Sequence, residues 1–350
     1  MNRKEFLSDC GKMGMAGVAL SLFPWLESCS DKAKQEVQGE KAQIGIIGTG
    51  SRGLFHIKHL VQMPNVEVVA LCDNYRPHLE DAAQYYPKAK QYDDYRRLLE
   101  NKDVKGVIIA TPLYLHAPMT IAALEAGKRV FCEKSMAYTM DEALEVYNRR
   151  KELDGVLFIG QQRLFDPKYV KAMQMIHEGV IGEVVGVRNY WYRNNNWRRE
   201  VPSPELERHI NWRLYSEYSR GLMTELACHQ LQNGSWAMGQ LPKQVMGAGS
   251  LIHWDKEDER DVYDNVSAIF TYPNGVNMTF ESIISNKHFG MGEQILGTKG
   301  TIDLVTAMHY TDEPAPKGSG MHQLIEQIES GVMSNSVFAG TSWAAESSAL

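Results

Sequence analysis

A chain of 350 residues, 43% hydrophobic and 23% charged, is long enough for two domains of ordinary size and has the composition of a globular protein. Its formal net charge of −6 gives no reason to expect nucleic acid or an anionic membrane surface as a partner. No apolar run in the body of the chain reaches the length of a mature transmembrane helix.

Residues 1–29 read as an address rather than as part of the fold. Arg3-Lys4 followed by Phe6-Leu7 is similar to a twin-arginine export signal with lysine in the second place, and a mildly apolar stretch runs from Gly14 to Leu26. Leu26-Glu27-Ser28-Cys29 resembles a lipobox, although Glu27 departs from the small or apolar residue usual there, so Cys29 is a candidate lipid anchor. The expectation is a periplasmic or otherwise exported protein. Residues 30–42 are polar and read as a linker. The five cysteines, Cys10, Cys29, Cys72, Cys132 and Cys228, form no C-x-x-C pair, and the last three sit in apolar surroundings that suit inert thiols.

From Gln43 the pattern changes. Ile44-Gly45-Ile46-Ile47 suits a strand buried on both faces, and Gly48-Thr49-Gly50-Ser51-Arg52-Gly53 follows at once, opening a helical pattern through Leu60. Gly48 permits a tight turn, Gly50 lets backbone approach a pyrophosphate, and Gly53 lets helix and strand pack closely. Free N–H groups at the helix start, beginning with Ser51, suit phosphate. A second strand, Val66 to Cys72, ends at Asp73, where a carboxylate can accept hydrogen bonds from adenosine ribose hydroxyls. That favours NAD; Arg52, within reach of a 2′-phosphate, leaves NADP open.

The alternation continues. Val107-Ile108-Ile109-Ala110 runs into Thr111-Pro112, residues 116–126 read as a helix, and Arg129-Val130-Phe131-Cys132 runs into Glu133-Lys134-Ser135. Leu157-Phe158-Ile159 precedes Gly160-Gln161-Gln162-Arg163. Such a βαβ rhythm implies a parallel sheet with helices on both faces, and places Thr111, Glu133-Lys134 and Gln161–Arg163 at strand ends where ligands sit.

A helix is expected from Pro167 to Glu178, and strands then dominate: Val184 to Tyr192, a hairpin of Val266–Tyr272 and Val276–Ser282 around Pro273-Asn274-Gly275, and a pair flanking Thr298-Lys299-Gly300. The loop Asn194–Arg199 and Tyr192 are candidate contacts for hydroxyls and a sugar ring. A helical pattern from Met321 breaks at Gly331, and another starting near Trp343 is cut at Leu350, so a truncated C-terminal helix is expected. The fold class is therefore α/β: a Rossmann-type doubly wound parallel sheet over residues 43–163, then an α+β substrate domain over 164–350 with an open, mostly antiparallel sheet.

The run Gly48–Gly53, Asp73, Ala110-Thr111-Pro112 with His116, Glu133-Lys134, Gly160 to Pro167 with Arg163, and Glu225-x-x-x-His229 resembles the Gfo/Idh/MocA oxidoreductases from about residue 43 to the end. The resemblance implies a cofactor site at Gly48, Gly50, Ser51, Arg52, Gly53, Asp73, Thr111, His116, Glu133, Lys134 and Arg163. It also implies self-association as a dimer or tetramer through the exposed face of the second sheet. Ile210–Tyr215 is similar to a family segment near the substrate, which makes Arg213 a candidate contact. Three positions depart from the family pattern: Ser135 replaces a proline, Glu225 an aspartate, and Gln232 an aspartate. The first change is expected to loosen the loop that presents Lys134.

Hydride transfer from a secondary alcohol needs a base for the hydroxyl proton and a stabiliser for the alkoxide. Lys134 suits the second task and His229 the first, with Glu225 four residues earlier placed to orient the imidazole. No third ligand accompanies Glu225 and His229, so no metal site is expected. The expected activity is NAD(P)-dependent oxidation or reduction of a sugar or polyol with a tightly held, recycled cofactor. A redox-type glycosidase and a non-catalytic sugar- or nucleotide-binding protein remain the alternatives.

Overall fold

The computed structural model describes residues 41–256 and 258–311. The expected export signal, Cys29, nearly all of the linker and the C-terminal helices lie outside the described residues.

The first half alternates strand and helix: β1 (Ala42–Ile47), α1 (Ser51–Leu60), β2 (Val66–Cys72), α2 (Arg76–Ala83), β3 (Lys90–Tyr92), α3 (Tyr95–Glu100), β4 (Gly106–Ile109), α4 (His116–Glu125), β5 (Arg129–Glu133), α5 (Met140–Glu152) and β6 (Leu157–Gly160). The sheet order is β3-β2-β1-β4-β5-β6 and every pairing is parallel. Strand order reverses at β1, so a crevice opens beyond the carboxyl ends of β1 and β4. Apolar runs explain the arrangement. Ile46 packs with Ile57, Val68 and Leu79 on one face of the sheet, and Ile47 with Leu98, Ile109 and Ala123 on the other. Each such side chain contributes about 1.5–3 kcal/mol on burial. Caps set where helices begin: Thr139 and Glu142 close a capping box on α5.

The second half supplies α6 (Pro167–His177), β7 (Val184–Tyr192), a π-helical turn (Met223–Ala227) running into α7 (Cys228–Met238), then β8 (Gln244–Ser250), β9 (Asn265–Thr271), β10 (Asn277–Ile283), β11 (Met291–Gly297), β12 (Thr301–Asp303) and β13 (Met308–Tyr310). Their order is β13-β12-β11-β7-β10-β9-β8; β7 and β10 run parallel and the other pairs antiparallel. The expected hairpin is present, with Asn277 opposite Thr271. Helices α6 and α7 cover one face of this sheet, where Met173, Phe280, Met278 and Ile295 form the core. The other face exposes Met246 and Ile269, which lie opposite each other on β8 and β9. Strands β3, β8 and β13 were not foreseen; β8 has two glycines and little buried apolar surface, so it carries no clear alternation.

Candidate active site

A cavity of about 440 Å³ opens at the β1/β4 crevice and is closed from above by the second half. Gly48, Gly50, Ser51, Arg52, Asp73, Thr111, His116, Glu133 and Lys134 line it from the parallel sheet, and Arg199, His209, Trp212, Arg213 and Glu225 from the other half.

The glycine turn fits a dinucleotide. Gly48 has φ +87, and a Cβ there would lie 2.8 Å from the Ala110 carbonyl. A Cβ on Gly53 would lie 2.0 Å from Gly48 O, so helix and strand could not approach. Helix α1 has no side-chain cap and no acid in its first turn, which leaves its N–H groups and positive end for phosphate. Asp73 accepts from Thr49 N at 2.7 Å and Tyr75 N at 2.9 Å, and its carboxylate still borders the cavity. Thr111 Oγ1 is buried with no partner among the described residues. Together these residues meet the needs of an adenosine ribose and a pyrophosphate.

At the cavity floor the carboxylates bind protein cations. Glu133 accepts from His56 Nε2 at 2.8 Å and from Lys134 N at 3.2 Å, and lies 3.5 Å from Arg52 Nε. Burial pushes its pKa up, but His56 and Arg52 outweigh this and hold it below the usual value. His56 sits four residues after Arg52 on α1, so helical spacing could have revealed it. Lys134 Nζ donates to Glu225 O at 2.9 Å and Thr224 O at 3.4 Å, and lies 3.6 Å from Glu225 Oε2. Arg213 Nε donates to the same carboxylate oxygen at 2.8 Å. Glu225 is buried, which raises its pKa, yet Lys134 and Arg213 turn the net shift downward.

Several expectations change. Glu225 and His229 share no hydrogen bond: the π turn inserts a residue into the helical repeat, which rotates the carboxylate away from the imidazole and toward Lys134 and Arg213. His229 Nδ1 instead meets Gln161 Oε1 at 3.1 Å. Burial, then Lys134 and Arg163, lower the His229 pKa to about 3. Neither Arg163 nor His229 is among the cavity-lining residues; the Arg163 guanidinium lies 2.6 Å from the fully buried Glu293, which also accepts from Asn233 Nδ2 at 2.7 Å. Tyr192 faces away from His229. Alternation along β7 puts Trp191 on the core side, 6.2 Å from the His229 ring, and turns Tyr192 toward Glu281 on the open face, with a 2.7 Å hydrogen bond. His116 borders the cavity, but both ring nitrogens meet main-chain carbonyls, Ser135 O at 2.6 Å and Thr111 O at 2.9 Å, so it braces two loops instead of holding a ligand. The loop after β5 is not loosened by Ser135, because its Oγ donates to Thr224 O at 3.0 Å. In the Asn194–Arg199 loop the Asn195 and Asn196 side chains accept from Trp197 N and Arg198 N, and Arg198 pairs with Glu207 at 2.8 Å, so these groups serve the turn. Cys72 and Cys132 are buried, whereas Cys228 is only partly so.

Residues 42–161 match the oxidoreductase family model with an NAD-binding Rossmann fold, and residues 169–303 match the GFO/IDH/MocA C-terminal domain. The chain belongs to the Gfo/Idh/MocA family. A glycosyl hydrolase family 109 protein of Shewanella pealeana is 28% identical over 236 residues, covering 61% of this chain and 50% of the relative. The scyllo-inositol 2-dehydrogenase (NAD(+)) of Bacillus subtilis is 24% identical over 271 residues, 77% of this chain and 75% of the relative. The crystal structure of myo-inositol 2-dehydrogenase from Lactobacillus plantarum superposes with a TM-score of 0.65 at 24% identity, covering 75% of this chain and 76% of that one. The chain spans about half the length, or less, of the glycosyl hydrolase family 109 relatives it matches. As in other Gfo/Idh/MocA members, the Rossmann half is NAD-binding by family.

Proposed function

We propose that this Gfo/Idh/MocA protein is an NAD-dependent oxidoreductase acting on a secondary hydroxyl of a sugar or polyol. The observation that carries the reading is the Lys134 ammonium at the cavity floor, anchored from the second half by Glu225 and Thr224 beside the dinucleotide crevice. When bound, the nicotinamide ring supplies the hydride acceptor or donor. Lys134 has three N–H donors, and two meet the carbonyls of Glu225 and Thr224, which leaves one for a substrate oxygen. That N–H stabilises charge as the alkoxide develops. Glu225 stays ionised and balances both Lys134 and Arg213. With Nδ1–H donated to Gln161, His229 presents Nε2 as an acceptor. A pKa of about 3 keeps it neutral at physiological pH, so the Nε2 lone pair orients the hydroxyl and takes its proton as the hydride leaves for the nicotinamide.

The test is mass spectrometry of the purified protein for bound NAD, followed by a sugar and polyol panel read at 340 nm with Lys134→Met as control. Bound NAD and turnover that vanishes in the variant support the reading; no affinity for NAD, or turnover unchanged in the variant, overturns it. The glycosyl hydrolase family 109 relatives favour a second reading, redox-assisted glycoside cleavage. Release of nitrophenol from a nitrophenyl glycoside with no net NADH would select it. Export with a retained cofactor belongs to the same proposal, supported by the layout of residues 1–29. Self-association is supported by Met246 and Ile269, exposed on the uncovered face of the second sheet.

A further inference from the structure

Five lysine and arginine side chains line the cavity: Arg52, Arg96, Lys134, Arg199 and Arg213. Arg52 pairs with Glu133, Arg96 with Asp94, and Lys134 and Arg213 both with Glu225. Among the described residues Arg199 has no carboxylate partner. Its Nη2 donates to the neutral Ser51 Oγ at 3.1 Å, across 148 residues of sequence and at the first residue of α1. The residue stays exposed, which leaves its guanidinium open to a ligand; partial burial, then the neighbouring Arg213, press its pKa down.

The backbone beneath this guanidinium is built to hold it. Asn211 is 2% exposed; its Oδ1 accepts from Arg199 N at 2.8 Å and its Nδ2 donates to Arg199 O at 3.0 Å. A buried amide thus spends an acceptor and a donor on fixing one residue whose side chain reaches the other half of the molecule. Burying a polar group in this way stabilises only when its partners are met, and here they are the main chain of Arg199 and Glu207 Oε2, which accepts from Nδ2 at 3.2 Å.

We infer that Arg199 is a pyrophosphate-binding residue supplied by the second half: its guanidinium closes over the phosphates held by the Gly48–Gly53 turn and the start of α1. The inference rests on the NAD-binding reading and deepens it. A cation presented as a planar fork suits bidentate contact with phosphate oxygens. Because Arg199 belongs to the second half, dinucleotide release requires this contact between halves to part. Arg199 therefore sets how long the nucleotide stays as well as how tightly it binds.

The experiment uses the full chain stripped of nucleotide. NAD, ADP-ribose and phosphate-free adenosine are titrated into the parent, Arg199→Ala and Arg199→Lys by tryptophan fluorescence, and NAD release is followed by stopped flow. Loss of a charge-assisted phosphate contact predicts Kd for NAD and ADP-ribose weaker by about 10- to 100-fold in Arg199→Ala, with faster release. Partial retention is expected in Arg199→Lys, and an unchanged response to adenosine in both. Kd for NAD within two-fold of the parent, or an equal loss of adenosine, overturns the inference. A parent that binds no NAD at all overturns the functional proposal itself, so the two failures are distinct.

Discussion

Replacing His116 with leucine tests how the cavity floor is held together. A neutral imidazole has one N–H, so with Ser135 O at 2.6 Å and Thr111 O at 2.9 Å a neutral ring would set a lone pair against a carbonyl. Only the imidazolium donates to both. Burial opposes the charge, but Cys132 and the two carbonyls prevail and raise the pKa from 6.5 to about 9. A shift of this size corresponds to roughly 3 kcal/mol favouring the charged form. Because the folded-state pKa is raised, this stability is fully present below pH 6.5 and is lost as pH rises through about 9. The assay is urea unfolding of the parent and His116→Leu at pH 6, 7.5, 9 and 10. The parent's advantage should shrink by roughly 3 kcal/mol across that range. Alkaline pH should also slow turnover, since Ser135 follows Lys134 directly. Parallel stability curves for the two proteins, or a ring that titrates near 6.5 by 15N NMR, would refute the argument.

Glu225→Gln leaves Lys134 and Arg213 facing each other without their shared carboxylate; unfolding free energy should fall by about 3 kcal/mol or more, measured in urea, and kcat should drop far more than KM rises. Gly53→Ala places a Cβ 2.0 Å from Gly48 O, so the turn must deform and NAD titration should show little or no binding while the unliganded fold persists by circular dichroism. His229, with its pKa depressed to about 3, should give no limb in the kcat/KM profile between pH 5 and 8, and Lys134→Met should raise its NMR-detected pKa. Its depressed pKa also means that its share of stability is present above 6.5 and is lost as pH falls toward 3, which acid unfolding of His229→Phe against the parent would reveal.

Local chemistry made the first half legible. A glycine turn between an apolar strand and a helix, an acid at the next strand end, and short apolar runs alternating with helical patterns all depend on neighbours in sequence, and they determine the parallel sheet and the crevice at its switch point. The partners of charged side chains were decided only in three dimensions. Glu225 and His229 are spaced to meet on a helix, but one π turn redirects the carboxylate to cations from two other segments. Arg163, expected at a strand end in the cofactor site, pairs instead with Glu293 from the other sheet, and Arg199 acquires its place over Ser51 through Asn211. Spacing along a chain records which face a side chain occupies. Which opposite charge it meets is settled by Coulomb attraction and desolvation among residues that only folding brings within a few ångströms.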